Sequence, residues 1–186
     1  MLTKTIRRLA LATAFSVAFA GAVFAQNPMV GGAAMFADKN IVENAVNSAD
    51  HTTLVAAVQA AGLVETLQSP GPFTVFAPVN SAFERLPDGT VDTLLQPENK
   101  DALVKVLTSH VVAGKLSASD LMRRARANGG RYNMETVSGA PLTAVLRGNN
   151  VYIFDQAGGA GRVTIADVNQ SNGVIHVVNR VLLPRM

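Results

Sequence analysis

The sequence predicts an α+β fold, and three observations carry that reading. Helical apolar periodicity dominates from residue 40 to about residue 128, interrupted by one strand pattern over 73–77. From Tyr132 onward the pattern changes to short apolar runs separated by Gly and Asn turns. Helices first and strands later argue against alternating βαβ units, and no segment repeats, so one copy of one domain is expected over 40–186.

The elements follow in order. Ile41, Val42, Ala45 and Val46 give a first helical face. Asp50 is a candidate N-cap for a second helix that carries Leu54, Val55, Val58 and Ala61 inward and stops at Gly62. Leu63, Val64 and Leu67 form one more apolar turn before Ser69-Pro70-Gly71-Pro72 breaks the chain. After the strand over 73–77, Asn80 or Ser81 starts a short helix. Pro87-Asp88-Gly89 is a turn, and Pro97 suits the first turn of a longer helix burying Leu103, Val106, Leu107 and His110. Ser117-Ala118-Ser119-Asp120 reads as a capping box, and Asn128-Gly129-Gly130 as the stop of that helix. In the second half, Leu142, Ala144 and Leu146 alternate with Thr143, Val145 and Arg147. Gly148-Asn149-Asn150 then turns into Val151-Tyr152-Ile153-Phe154, the pattern of a hairpin. Asn172-Gly173 opens the last strand, a β-branched run with no clean in/out alternation that is expected to be covered on both faces and to run on until Pro184 ends it.

The ends set limits on function. Lys4, Arg7 and Arg8 precede an apolar run over 9–24, and Val23-Phe24-Ala25 offers small residues at a cleavage site. Residues 1–25 therefore read as a secretory signal peptide, too short to span a membrane, with a flexible leader over 26–39 behind it. A secreted or periplasmic protein with no membrane span after cleavage is expected. Three of the 16 basic residues lie in that signal, which leaves 13 basic and 13 acidic side chains. Zero net charge removes the electrostatic argument for nucleic acid. With no cysteine, thiolate catalysis, cysteine metal sites and a lipid-acceptor thiol are excluded.

Three segments resemble the signature blocks of the fasciclin domain family. Phe73-Thr74-Val75-Phe76-Ala77-Pro78-Val79-Asn80-Ser81-Ala82-Phe83 is similar to the first block. Ser109-His110-Val111-Val112-Ala113-Gly114 is similar to the Tyr-His segment, with Ser109 where the family carries tyrosine. Asn172-Gly173-Val174-Ile175-His176-Val177-Val178-Asn179-Arg180-Val181-Leu182-Leu183-Pro184 is similar to the second block. The resemblance spans about residues 40–184. It implies a β-wedge or sandwich with helices packed around one edge, and an adhesion module whose partner is a protein or glycan at a cell surface or in a matrix. The rival it implies is a carrier of an apolar, carotenoid-like ligand in a groove lined by Val, Leu and Met.

The candidate site residues divide accordingly. Asp167-Val168 stands where animal members of the family carry an Asp-Ile pair of integrin-recognition motifs, so Asp167 and Val168, with His110, are the candidate partner contacts. For Asp167 a turn role, its carboxylate bonding nearby backbone N–H groups, stands beside that reading. An exposed polar loop over 169–172 is expected next to it. His176, Asn172 and Gly173 are read as structural. The three histidines have no metal-ligand spacing, so no metal or cofactor is expected. Ser109-His110 lacks the elbow and the orienting third group of a nucleophile, and no enzyme is expected. Gly158-Gly159-Ala160-Gly161 is a turn and not a phosphate loop. Arg123, Arg124 and Arg126 form a solvated basic helix face, with a polyanionic glycan as the alternative partner.

Overall fold

The computed structural model describes residues 27–185. The signal expected over residues 1–25 lies outside the described residues. The leader expected over 26–39 is not a free tail. Strands β1 (Met29–Val30) and β2 (Ala33–Ala34) pair as a small hairpin, and Val30 and Met35 are buried in the core. The apolar side chains of a short, unpatterned segment are enough to dock it.

The described residues form seven α-helices, six of them where the sequence reading expects one: α1 (Ile41–Ala45), α2 (Thr52–Ala61), α3 (Val64–Gln68), α4 (Asn80–Phe83), α5 (Thr90–Leu94), α6 (Lys100–Thr108) and α7 (Ala118–Ala127). Gly62 ends α2 at φ 72°, where a residue with a Cβ is strained. The capping box at Ser117 is present, with Ser117 Oγ accepting from Asp120 N–H. Asp50 does not cap α2. Asn80 does so from another segment: its Oδ1 accepts from Thr53 N–H at 3.1 Å while its Nδ2 donates to Ala49 O at 2.8 Å. Helix α5 has no counterpart in the sequence reading, because Thr-Val-Asp-Thr-Leu is too short to show a period.

The strands β3 (Phe73–Pro78), β4 (Val111–Ala113), β5 (Arg131–Glu135), β6 (Pro141–Arg147), β7 (Asn150–Phe154), β8 (Ala160–Gln170) and β9 (Gly173–Val178) form one sheet in the order β4-β3-β9-β8-β7-β6-β5. All neighbours are antiparallel except β3 and β9, which run parallel with Phe73 opposite Gly173. A Cβ at Gly173 would lie 2.1 Å from Phe73 O, so glycine is required there. The sheet rolls until Val137 N–H donates to Val111 O at 2.8 Å, nearly joining the two edges.

This roll makes two cores. Phe76, Leu121, Leu142, Ile153, Val178 and Leu182 fill the inside, closed by α7. On the outer side of β3 and β9, Val75, Val177 and Ile175 pack against α1, α2 and α6. Strand β9 is therefore buried at every position, as its unalternating run predicted. The strand itself ends at Val178. Val181 and Leu182 stay buried outside the ladder, well before Pro184.

Candidate functional site

His110 lies just after α6 and is 2 % exposed. Its Nε2 accepts from Leu182 N–H at 2.8 Å, so Nδ1 carries the proton and donates to Val106 O at 2.9 Å. The ring thus pins the C-terminal segment to the end of α6. Burial pushes its pKa down to about 4, against the Val106 carbonyl and Asp155, which favour the charged form. His176 is 0 % exposed and stacks on Phe76 with ring centroids 5.7 Å apart. Its Nδ1 accepts from Asp167 N–H at 3.3 Å and its Nε2–H donates to Leu116 O at 2.8 Å. Burial depresses its pKa too, with Leu116 O and Asp167 opposing. Both histidines are neutral, single-tautomer crosslinks. His110 is therefore not a partner contact, because nothing outside the fold reaches it.

Val168 is also removed from the contact set. It is 0 % exposed, because two irregularities in the β8–β9 register turn it into the core. Asp167, within the second of them, takes φ 58° and is half-buried. Its Oδ1 accepts from Ala118 N–H, the first residue of α7, at 2.7 Å. The polar loop expected beside it is half covered: Asn169 and Ser171 are exposed, Gln170 and Asn172 are buried. Gln170 lies in the core with Asn44, and Asn172 is 8 % exposed. Asn172 Oδ1 accepts from Ile41 N–H at 3.1 Å, and its Nδ2 donates to Leu67 O and Ser69 O. Asn80, Asp167 and Asn172 thus do the same work. Each satisfies a backbone donor at the start of a helix distant in sequence, where four N–H groups lack intrahelical partners.

The remaining candidates are equally local. Ser109 Oγ is buried, donates to Lys105 O at 2.7 Å and shares a 2.9 Å bond with Ser138 Oγ. His51 is buried with Nδ1 on Ser48 Oγ at 2.9 Å. Its Nε2 has no hydrogen-bond partner, although the nearby Ala77 carbonyl favours the charged ring; burial outweighs this and lowers the pKa. Arg123 pairs with Asp120, and the Arg124 guanidinium lies 5.2 Å above the Tyr132 ring. Among the described residues no group of three or more His, Asp or Glu is placed to hold a metal ion. An apolar cavity of about 120 Å³ lies under α1–α3, between Ile41, Leu54, Leu67 and Phe73.

The open surface lies elsewhere. Arg131, Val145, Tyr152 and Arg162 are paired in one cross-strand row over β5–β8, and Asn133, Thr143 and Phe154 in the next. The inward positions between them, Met134, Leu142, Ala144 and Ile153, are core. Sequence reasoning missed this face. The period-2 alternation could have found it, together with the sign of the charge: residues 27–114 hold four basic and nine acidic side chains, residues 115–185 nine and four.

The fold is thus a rolled mixed sheet in which His110, His176 and Ser109 are internal crosslinks. The chain belongs to the fasciclin family: the Fasciclin domain model matches residues 49–184. It is 45 % identical over 161 residues to Protein sll1483 of Synechocystis, covering 87 % of this chain and 82 % of that one. It is 32 % identical over 166 residues to the cell surface glycolipoprotein MPB83 of Mycobacterium bovis, covering 86 % and 68 %. The fold matches a FAS1 domain pair from the insect cell adhesion molecule Fasciclin I with a TM-score of 0.70, at 15 % identity, over 78 % of this chain and 51 % of that one. Among the described residues no helix is long and apolar enough to cross a membrane.

Proposed function

We propose that this chain is an exported, non-enzymatic adhesion module that attaches to a protein or glycan at a cell surface or in a matrix. One observation carries the reading: the side chains with catalytic potential, His110, His176 and Ser109, each hold backbone or a neighbouring hydroxyl inside the fold. MPB83 is named a cell surface glycolipoprotein and Fasciclin I a cell adhesion molecule, which supports the same role here. The export reading rests on residues 1–25.

Asp167 stays in this proposal as a candidate contact beside its capping role, because it is half-buried and one oxygen serves α7. The apolar carrier is the second reading, favoured by the cavity under α1–α3. Its volume of about 120 Å³ falls below the roughly 300–1,000 Å³ of sites for drug-sized ligands. A carotenoid would need the helices to part.

The test is attachment. Beads coated with the purified chain are expected to bind host cells or their shed matrix above albumin-coated beads. Equal binding would overturn the adhesion reading, and a coloured or lipid-loaded native protein would favour the carrier.

A further inference from the structure

Zero net charge hides a separation. The nine acidic residues of 27–114 lie on the segment that builds α1–α6, and the basic excess lies on the segment that builds α7 and β5–β9. Within that basic half the outer face of β5–β8 is left uncovered by the described residues. Arg131, Arg147 and Arg162 are exposed on three of its strands. At about 4.8 Å per strand, Arg131 and Arg162 stand roughly 14 Å apart across the face. Between them the Arg147 guanidinium lies 5.4 Å from both the Tyr152 and the Phe154 ring centroids, which fixes a planar donor fork. Glu135 is the one acid among the outward-facing residues of β5–β7.

At the β5 edge this face opens into a concavity of about 460 Å³ lined by Asn128, Arg131, Tyr132, Asn133 and Thr143. That volume is within the usual range for a small-molecule site. Its lining is amide, hydroxyl, phenol and guanidinium. Thr143 Oγ1 donates to Asn133 Oδ1 at 2.8 Å and orients the amide. Amides and hydroxyls in a concave site match sugar hydroxyls, and guanidinium forks match carboxylate or sulfate oxygens.

From these features we propose that the outer face of β5–β8, entered at the Asn133–Thr143 concavity and continued by Arg147 and Arg162, binds an acidic polysaccharide. This rests on the adhesion reading and names its surface and the class of its partner. The polymer's anionic groups pair with Arg131, Arg147 and Arg162, and one sugar unit seats in the concavity. Binding releases counterions and weakens as salt rises.

Heparin is the probe, with dextran as the uncharged control and single-stranded DNA of matched charge as the non-glycan polyanion, all measured against the full exported chain. Heparin is expected to bind at low salt and to be released as salt is raised, and dextran not to bind. The triple variant Arg131→Gln, Arg147→Gln, Arg162→Gln should lose about tenfold or more. The double variant Arg123→Gln, Arg126→Gln on α7 should lose less than about threefold, because neither residue lies on β5–β8 or lines the concavity; Arg124 is kept because its guanidinium contacts Tyr132 in that lining. Asn133→Ala, which leaves charge unchanged, should weaken heparin and spare DNA. Circular dichroism checks that each variant is folded, and Arg162→Glu alone replaces the triple variant if that one is not.

Absence of heparin binding, an unchanged affinity in the sheet-face variants, or equal affinity for heparin and DNA with no effect of Asn133→Ala would overturn the proposal. Low-salt self-association that heparin fails to dissolve would assign the basic face to the acidic half of a second copy instead. Beads that still attach to cells when heparin does not bind would leave the adhesion reading standing and remove this inference alone.

Discussion

Strands β9 and β5 belong to one sheet and do opposite work. Strand β9, Gly-Val-Ile-His-Val-Val, is buried at all six positions between the helical layer and the inside of the roll. Strand β5, Arg-Tyr-Asn-Met-Glu, is buried at Met134 alone. The continuous run reports two covered faces and the alternating one reports a face left to solvent. Polar groups near β9 are therefore crosslinks, and polar groups on the outer face of β5–β8 lie at the surface of the described residues.

The comparison is broken most easily at its buried end. His176→Ala removes a fully buried ring, its stack on Phe76 and partners for Leu116 O and Asp167 N–H. A loss of about 3–5 kcal/mol is expected from denaturant melts. A loss below about 0.5 kcal/mol, the scale of surface changes, would mean that β9 is not the centre of the structure.

Acid tests the same half. Neutral His110 is required in the fold, while the unfolded chain takes up a proton near the ordinary value of 6.5. Stability is therefore complete above about pH 6.5, falls as pH drops, and the loss from this group levels off near its folded pKa of about 4. That loss is roughly 3 kcal/mol, and His51 and His176, shifted in the same direction, add to it. His110→Gln, which cannot charge, should show a shallower decline between pH 6.5 and 4.5. An identical slope in the two proteins would contradict the crosslink role.

Asp167 sits between the two regions, and its replacement should have an intermediate effect. Asp167→Ala removes the acceptor for Ala118 N–H and puts alanine at φ 58°, for an expected loss of about 1–2 kcal/mol. Asp167→Gly relieves the backbone and leaves the missing acceptor, so it should lose less. Weaker cell attachment at an unchanged melting temperature would instead make Asp167 a contact.

The smallest effect is expected on the open face. Arg131→Gln and Arg147→Gln should each shift stability by no more than about 0.5 kcal/mol. A larger loss would mean that this face is part of the scaffold.

Local signals were legible in the sequence. The capping box at Ser117, the stop at Gly62, the β6–β7 hairpin and the covered character of β9 each rest on a few adjacent residues. What escaped was set by distance. The parallel pairing of β3 with β9 joins segments about a hundred residues apart. Asn80, Asp167 and Asn172 cap helices they do not adjoin, so Asp50 looked like the cap of α2, and the backbone N–H that Asp167 accepts from, Ala118, lay 49 residues away. Val168 looked exposed because the irregularities that turn it inward leave no mark on composition. The candidate surface was hidden for another reason: a net charge summed over the chain cancels two halves that fold to different places.

Native-state hydrogen exchange on the full chain tests the division between the two regions most directly. Amides of β3 and β9 are expected to exchange only through global unfolding, and those of β5 and its pairing with β6 through local opening at least about 2 kcal/mol easier. Equal protection of β5 and β9 would contradict the account, because the edge and the interior of the sheet would then belong to one scaffold.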